Sequence, residues 1–400
     1  MHIYDWEQRE LSKVSSISKG KFYSKKDLIN EGNQIILYGQ LYTNYTSEIS
    51  FTNQFVHPKS GSIYSKGNEV IIPASGESSE DISIAASVTS QGIILGSDLN
   101  IVTPKSSLNN TFLALTLSHG NTKKRLSKYA QGKTIVHLHG SNFKKLSIKF
   151  PSIDEQKKIK DLICKVDNLA SLHQESITKT HQIFQIFQSK MSANLEENTP
   201  KIRNINYSNQ WNQSRLGDIG NTFTSLSGKT KDDFGHGDAE YVPYLNVFNN
   251  PIADTSLTDK IMKDPKQNSL QYGDILFTVS SETPNEVGMS SVWLDNRPNV
   301  YLNSFCFGFR PVMKYDHLFL ANLLRSDSFR KQMYILAQGV SRYNISKIKA
   351  MDIKLKLPIY EEQVYIGEFF KLLILNLQLR KKKIKILQEL KGEYLRKMFL

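Results

Sequence analysis

The chain has 400 residues and carries 51 Lys and Arg against 38 Asp and Glu, a formal net charge of +13. Hydrophobic residues make up 39% and charged residues 22%, which permits proper cores and argues against global disorder. The longest apolar runs, such as Leu372 to Leu375, fall far short of the ~18 residues a membrane span needs, so no membrane partner is expected.

The opening Met1-His2-Ile3-Tyr4-Asp5-Trp6 lacks the cationic start and apolar stretch of a secretion signal. Cys164 and Cys306 form neither a disulfide framework nor a metal-ligand spacing. A reducing, cytoplasmic setting is expected. The basic excess favours a polyanionic partner.

In chain order, residues 6–151 read as short strands and loops. Gln34-Ile35-Ile36-Leu37-Tyr38, Glu69-Val70-Ile71-Ile72 and Gly92-Ile93-Ile94-Leu95 are strand-like, punctuated by Gly, Asn and Ser. Leu146, Ile148 and Phe150 alternate with polar residues and predict a half-buried strand ahead of Pro151. Asp154 to about Ala193 has no Pro or Gly and predicts a long helix, with apolar Ile159, Leu162, Ile163, Val166, Leu169, Leu172, Ile177, Ile183, Phe184, Phe187 and Met191. Polar residues with Pro200 read as a linker over 194–210.

The pattern then repeats. Strand-like Asp274-Ile275-Leu276-Phe277-Thr278 and Cys306-Phe307-Gly308-Phe309 lead to alternating Ile353, Leu355 and Leu357 before Pro358. A second helix follows from Glu361, its seam running Ile366, Phe370, Leu373, Leu377, Arg380, Ile384, Leu387, Lys391, Tyr394 and Met398. The 4-3-4-3 spacing is that of a coiled coil with two basic interruptions.

The second half is a copy of the first. Phe112-Leu113-Ala114 returns as Phe319-Leu320-Ala321, Ala130-Gln131-Gly132 as Ala337-Gln338-Gly339, and Glu155-Gln156 as Glu362-Gln363, all 207 residues apart. Trp6-Glu7-Gln8 returns as Trp211-Asn212-Gln213 at 205. Such a period is a domain duplication and not a solenoid. The centres, roughly 20–110 and 225–318, show little similarity. The expected fold is therefore α+β. Strand-rich globular domains over 1–150 and 211–357 are separated by helices over 151–193 and 358–400 that pair as an antiparallel coiled coil, with pseudo-twofold symmetry. Each helix of about 39 residues makes a rod of roughly 58 Å.

Catalytic motifs fail on inspection. Gly132-Lys133-Thr134 and Gly228-Lys229-Thr230 lack the earlier glycine of a phosphate loop; Ser127 and Phe223 stand there. Glu155-Gln156-Lys157 and Glu389-Leu390-Lys391 lie on amphipathic helices and read as solvated charges. His137 and His139 share a strand face without carboxylate or cysteine neighbours, so no metal is expected. What remains is polar loop chemistry suited to DNA. Gln131, Lys133 and Thr134 follow the first Ala-Gln-Gly turn region; Gln338, Ser341, Arg342, Tyr343 and Asn344 belong to the second. Gln and Asn pair bidentately with adenine, Arg with guanine, while Lys, Ser, Thr and Tyr suit phosphates. The repeated Gly132 and Gly339 equally fit a structural turn with positive φ.

These features resemble the specificity subunit of type I restriction-modification systems. The resemblance rests on Trp6-x-Gln-x-x-Leu11 and Trp211-x-Gln-x-x-Leu216, on Pro151-x-x-Asp-Glu-Gln156 and Pro358-x-x-Glu-Glu-Gln363, on Tyr394-Leu395-Arg396-Lys397-Met398-Phe399, and on Tyr38-Gly39-Gln40-Leu41-Tyr42. It spans essentially the whole chain. It implies a non-catalytic subunit in which each globular domain is a target recognition domain reading one half of a bipartite double-stranded DNA site. The paired helices would set the spacing and dock two modification (methyltransferase) subunits. No cofactor would be bound by this chain. S-adenosylmethionine, ATP and Mg would belong to the modification and restriction (translocase/nuclease) partner subunits.

On the second helix, Ile366, Phe370, Leu373, Leu377 and Leu387 are the expected partner-binding residues. Ile374, Leu375, Leu379, Ile386, Leu390 and Leu395 form a second strip that the sister helix would leave uncovered. Insertion in the linker or at the start of the first helix is expected to lengthen an unread gap between half-sites. Two other readings compete: a self-sufficient DNA-modifying enzyme, which lacks its glycine-rich cofactor turn and base-flipping motif, and a coiled-coil scaffold indifferent to DNA.

Overall fold

The computed structural model describes residues 6–399 except Asn44 and Lys133. The chain divides into two units, one formed by residues 1–174 with 382–400 and the other by residues 175–381. Both long helices therefore contribute a half to each unit.

In the first unit the alternating strand Ser147–Phe150 pairs antiparallel with Glu7–Glu10 and buries Ile148 and Phe150. Its counterpart Lys354–Leu357 pairs with Asn212–Arg215 in the second unit and buries Leu355 and Leu357. The duplicated ends thus close each domain by joining its first strand to its last.

The dissimilar centres hold the same sheet. In the first unit the strand order Ser15–Lys19, Leu99–Pro104, Glu69–Pro73, Ala86–Val88 is antiparallel throughout, and a short fifth strand Glu48–Ile49 adds parallel at its edge. In the second unit Gly220–Phe223, Cys306–Pro311, Ile275–Thr278 and Ser290–Val292 stand in the same order. Even the register agrees: Ser15 faces Pro104 as Gly220 faces Pro311. Beside this shared sheet the units differ. The first adds a four-stranded sheet containing Asn33–Ile36 and Gln91–Leu95; the second adds a three-stranded one built on Phe234–Val242 and Val300–Leu302.

The repeated Gln explains how the long helices join the domains. Gln156 is buried; its amide donates to the carbonyls of Pro151 (2.9 Å) and Ser107 (3.0 Å), and its Oε1 accepts from Asn109 N–H at 2.8 Å. Gln363 donates to Pro358 O at 3.0 Å and accepts from Asp316 N–H at 3.1 Å. Asn109 and Asp316 are themselves N-caps, accepting from Phe112 and Phe319 N–H. One amide therefore locks the start of the long helix to the start of the buried helix Asn110–Ser118 or His317–Leu323.

The helices run Ile153–Lys190 and Tyr360–Met398. Met191 and Ala193, expected as helix, lie beyond its end and are buried in the core around Trp211. In the second unit Phe184 packs on Phe370 (5.1 Å between centroids) and Phe187 on Phe369 (4.9 Å). In the first, Lys391 pairs with Asp167 at 2.6 Å, so this basic interruption of the seam finds a carboxylate across it. Within each unit the N-terminal half of one helix lies beside the C-terminal half of the other, which makes the pairing antiparallel. The chain end completes the first unit's core: Phe399 is 5% exposed and packs against Trp6 and Phe112, as Trp211 packs on Phe319 in the second.

Candidate nucleic-acid interface

The repeated Ala-Gln-Gly is the start of a hairpin. Gln131 and His137 exchange both backbone hydrogen bonds (3.0 and 2.7 Å), and so do Gln338 and Asn344 (2.9 Å each). Gly132 and Gly339 sit inside these loops at φ 139° and 144°. A Cβ there would meet the carbonyl oxygen of Ile135 at 1.9 Å or of Arg342 at 2.0 Å, so only glycine fits. The turn is therefore structural, and it carries an exposed tip.

Each hairpin is anchored to its domain by a two-residue ladder. Val136–His137 pairs with Ser75–Gly76, and Tyr343–Asn344 pairs with Ser280–Ser281. Behind each ladder stands an aromatic pair spaced four residues apart, Tyr38 with Tyr42 and Tyr244 with Phe248. One Tyr of each pair donates to the ladder: Tyr42 to Ser75 O at 2.8 Å, Tyr244 to Ser280 O at 2.6 Å. Burial, aided by the charge of Asp81, raises the Tyr42 phenol, and burial raises Tyr244, so both remain neutral donors. After each ladder comes an acidic turn, Glu77 to Asp81 and Glu282 to Glu286. Ser78 donates to Asp81 in the first and Thr283 donates to Glu286 at 2.7 Å in the second. The dissimilar centres concealed this matched set in the sequence.

Of the residues expected to meet DNA, Gln131, Thr134, Gln338, Ser341, Arg342 and Asn344 are exposed on or beside the tips. Tyr343 is half-buried in the ladder. Lys133 lies outside the described residues. Arg342 stacks over the ring of Phe305 at 5.5 Å. Two arginines hold the second site from behind. Arg325 donates to the carbonyls of Ser290, Val247, Phe248 and Asn250, and Arg330 to those of Asn285, Val287 and Gly288. Burial pulls each guanidinium down to about 10, so both stay charged at neutral pH. They clamp the end of the helix Tyr244–Asn249 and the acidic turn, two elements that border the same cleft as the tip.

The remaining sequence motifs have structural employment. Lys229 of the second Gly-Lys-Thr pairs with Asp264 at 2.9 Å, and this ion pair holds the Asp264 carboxyl down at about 2. His137 and His139 stack with centroids 6.4 Å apart. Among the described residues no cluster of His, Cys, Asp and Glu could hold a metal, and no helix is long and apolar enough to cross a membrane.

The residues expected to bind a partner are buried or half-buried within the chain. Ile366, Phe370 and Leu377 are buried and Leu373 is half-buried within the second unit, and Leu387 is half-buried in the first, so these side chains serve the chain's own cores and helix seam. Leu395, placed on the outer strip, is buried at 6% in the first unit's core. Exposed apolar residues on the second helix include Leu372, Leu375, Leu379, Ile386 and Leu390. The first helix adds Leu162, Leu169, Leu172, Ile183 and Ile186. A stripe of this kind on a helix is uncommon without a covering partner.

A family described as the type I restriction modification DNA specificity domain matches residues 4–181 and again 208–389. No curated protein matches the chain by sequence. Among solved structures, the type I restriction-modification S subunit from M. genitalium superposes with a TM-score of 0.60 at 16% identity, covering 99% of this chain and 96% of its own. A structure from work on complex assembly and conformational transition of the type I R-M system gives 0.58 at 14% identity, covering 99% and 98%. The HsdS subunit from Thermoanaerobacter tengcongensis gives 0.50 at 14%, covering 99% and 97%. At these identities the likeness is one of fold.

Proposed function

Because the chain belongs to the family of type I restriction-modification DNA specificity domains, which it carries twice, we propose that each of its two units reads one half of a bipartite double-stranded DNA site through its hairpin tip. The supporting observation is the matched set of hairpin, Tyr-anchored ladder and acidic turn in both units. Phosphate contacts fix register on a duplex, while exposed Gln, Asn, Arg and Thr side chains at an anchored tip can reach base edges. Gln131, Lys133 and Thr134 would serve one half-site; Gln338, Ser341, Arg342, Tyr343 and Asn344 the other.

The chain is the specificity subunit, and the chemistry belongs to its partners. Two modification subunits would dock on the exposed apolar strips of the long helices and supply S-adenosylmethionine; restriction subunits would supply ATP- and Mg-dependent translocation and cleavage. The domain limits 1–150 and 211–357, the helices over 151–193 and 358–400, and a cytoplasmic location complete this reading. The test is to map methylated bases in cells carrying the chain with its modification subunit. A motif of two defined halves around a fixed unread gap is expected. A single contiguous motif would refute the assignment.

A further inference from the structure

The hairpin tip of the second unit borders a half-open cleft of about 530 Å³ lined by Tyr244, Phe248, Ser280, Glu282, Ser341 and Arg342, among others. Three of its polar groups have no polar partner among the described residues, although Arg342 lies over the Phe305 ring. Glu282 and Arg342 are exposed and carry opposite charges, yet neither makes an ion pair or a hydrogen bond among the described residues. Ser280 is 4% exposed, and its hydroxyl has no hydrogen-bond partner among the described residues.

The ladder tells how Glu282 and Arg342 stand. Ser280 faces Asn344 and Ser281 faces Tyr343 at the end of the ladder; Glu282 follows that last pair on one strand, Arg342 precedes it on the other, and both line the cleft. In a surface that meets phosphates a free carboxylate is repelled unless it accepts from a base. Cytosine N4 and adenine N6 are the amino groups the major groove offers, and Glu accepts from cytosine N4. Arg is matched bidentately by guanine O6 and N7. A G·C pair presents that acceptor pair and that donor side by side.

We infer that Glu282 and Arg342 together read one G·C base pair in the major groove, Arg342 donating to guanine O6 and N7 and Glu282 accepting from the N4 amino group of the paired cytosine. This rests on the DNA-reading assignment above and deepens it, adding Glu282 as a specificity-determining residue. The clamps of Arg325 and Arg330 hold the carboxylate wall and the aromatic wall in place. The corresponding positions in the first unit are Glu77 and Ile135, one step beyond the pair of Gly76 with Val136, so the Arg–Glu arrangement is particular to the second unit.

The test uses the full chain assembled with its modification subunits. Methylated motifs are mapped for the wild type, Arg342→Ala, Arg342→Lys and Glu282→Ala, and binding is measured on duplexes carrying the wild-type motif. Both alanine variants are expected to relax the same single position of one half-site. 7-Deazaguanine at that position, which lacks the N7 acceptor, lowers wild-type affinity by roughly 5- to 100-fold and leaves Arg342→Ala unchanged. Arg342→Lys keeps the charge, loses the bidentate fork, and relaxes the position as Ala does. The inference is overturned if the two alanine variants relax different positions or if Glu282→Ala leaves the motif intact. It is equally overturned if Arg342→Ala weakens all sequences evenly with a salt slope smaller by about one, the signature of a phosphate contact. All these outcomes keep a two-part motif; its absence in the wild type is what would fail the underlying assignment.

Discussion

Replacing Glu362 by Ala should destabilise the second unit, while the same change at its sequence counterpart Glu155 should not. The two residues occupy one motif position, Glu-Gln at the start of each long helix. Glu362 is 1% exposed, takes two hydrogen bonds from Arg203 at 2.7 and 2.6 Å, and accepts the Trp211 indole N–H at 3.3 Å. Truncation leaves a guanidinium that is 12% exposed without its counter-ion. Breaking a buried pair from one side costs ~3–5 kcal/mol; Arg203 can rehydrate in part, so a loss of about 3 kcal/mol is expected. Glu155 has no ion pair among the described residues, and its truncation should stay within ~0.5 kcal/mol. Replacing both partners, Arg203→Met with Glu362→Leu, should recover most of the loss, because no charge is then left buried. Urea unfolding followed by tryptophan fluorescence reads the effect. At an m-value of about 2 kcal/mol/M, Glu362→Ala moves the second unit's midpoint by about 1.5 M. A shift below ~0.5 M, or an equal shift for Glu155→Ala, would refute the reasoning.

Gly339→Ala should lower DNA affinity through the second half-site and leave the unfolding midpoint of the units nearly unchanged, because the Cβ clash with Arg342 O is confined to an exposed tip; a midpoint loss matching the affinity loss would contradict this. Leu172→Glu with Leu375→Glu, on exposed helix positions, should abolish capture of the modification subunit at a stability cost within ~0.5 kcal/mol; an unchanged complex mass would remove the strips as docking sites. Asp264, held at about 2 by Lys229 with help from Lys266 N–H and Gln267, should stay ionised at pH 3, where an ordinary Asp is mostly protonated. The stabilisation from this pair is present above pH ~4 and is lost as pH falls through about 2; a carboxyl NMR titration centred near 4 would contradict it. Lengthening 194–210 should leave the unread gap unchanged, contrary to a free linker, because Ile202 N–H bonds Lys190 O and Arg203 is tied to Glu362; a longer gap in the mapped motif would show that these ties yield.

The duplicated ends were legible because they carry geometry that tolerates few substitutes. Gln156 and Gln363 each satisfy several backbone groups at the joint of helix and domain, and Gly132 and Gly339 occupy backbone that a Cβ would obstruct. The shared sheet was not legible. Strands such as Ser15–Lys19 and Gly220–Phe223 keep the same register through backbone bonds that any side chain permits, so identical topology left little trace in residue identity. The matched Tyr was hidden for a related reason. Tyr42 is the second member of its aromatic pair and Tyr244 the first, and they reach equivalent ladder carbonyls, Ser75 O and Ser280 O, from different positions. Periodicity identified the helix seam, but it could not tell which partner covers a stripe. Ile366, Phe370 and Leu377 are covered by the chain's own second core, and Leu395 by the first, where Trp6, Phe112 and Phe399 gather.

The central claim is that the two units read DNA independently, each through its own tip. It is tested most directly by mapping methylated bases for a chimera in which residues 211–357 are replaced by the corresponding domain of a relative with a different mapped site. One half of the motif should change to the donor's, with the other half and the unread gap preserved. A chimera that assembles with its modification subunits and alters both halves together, or neither, would contradict the account.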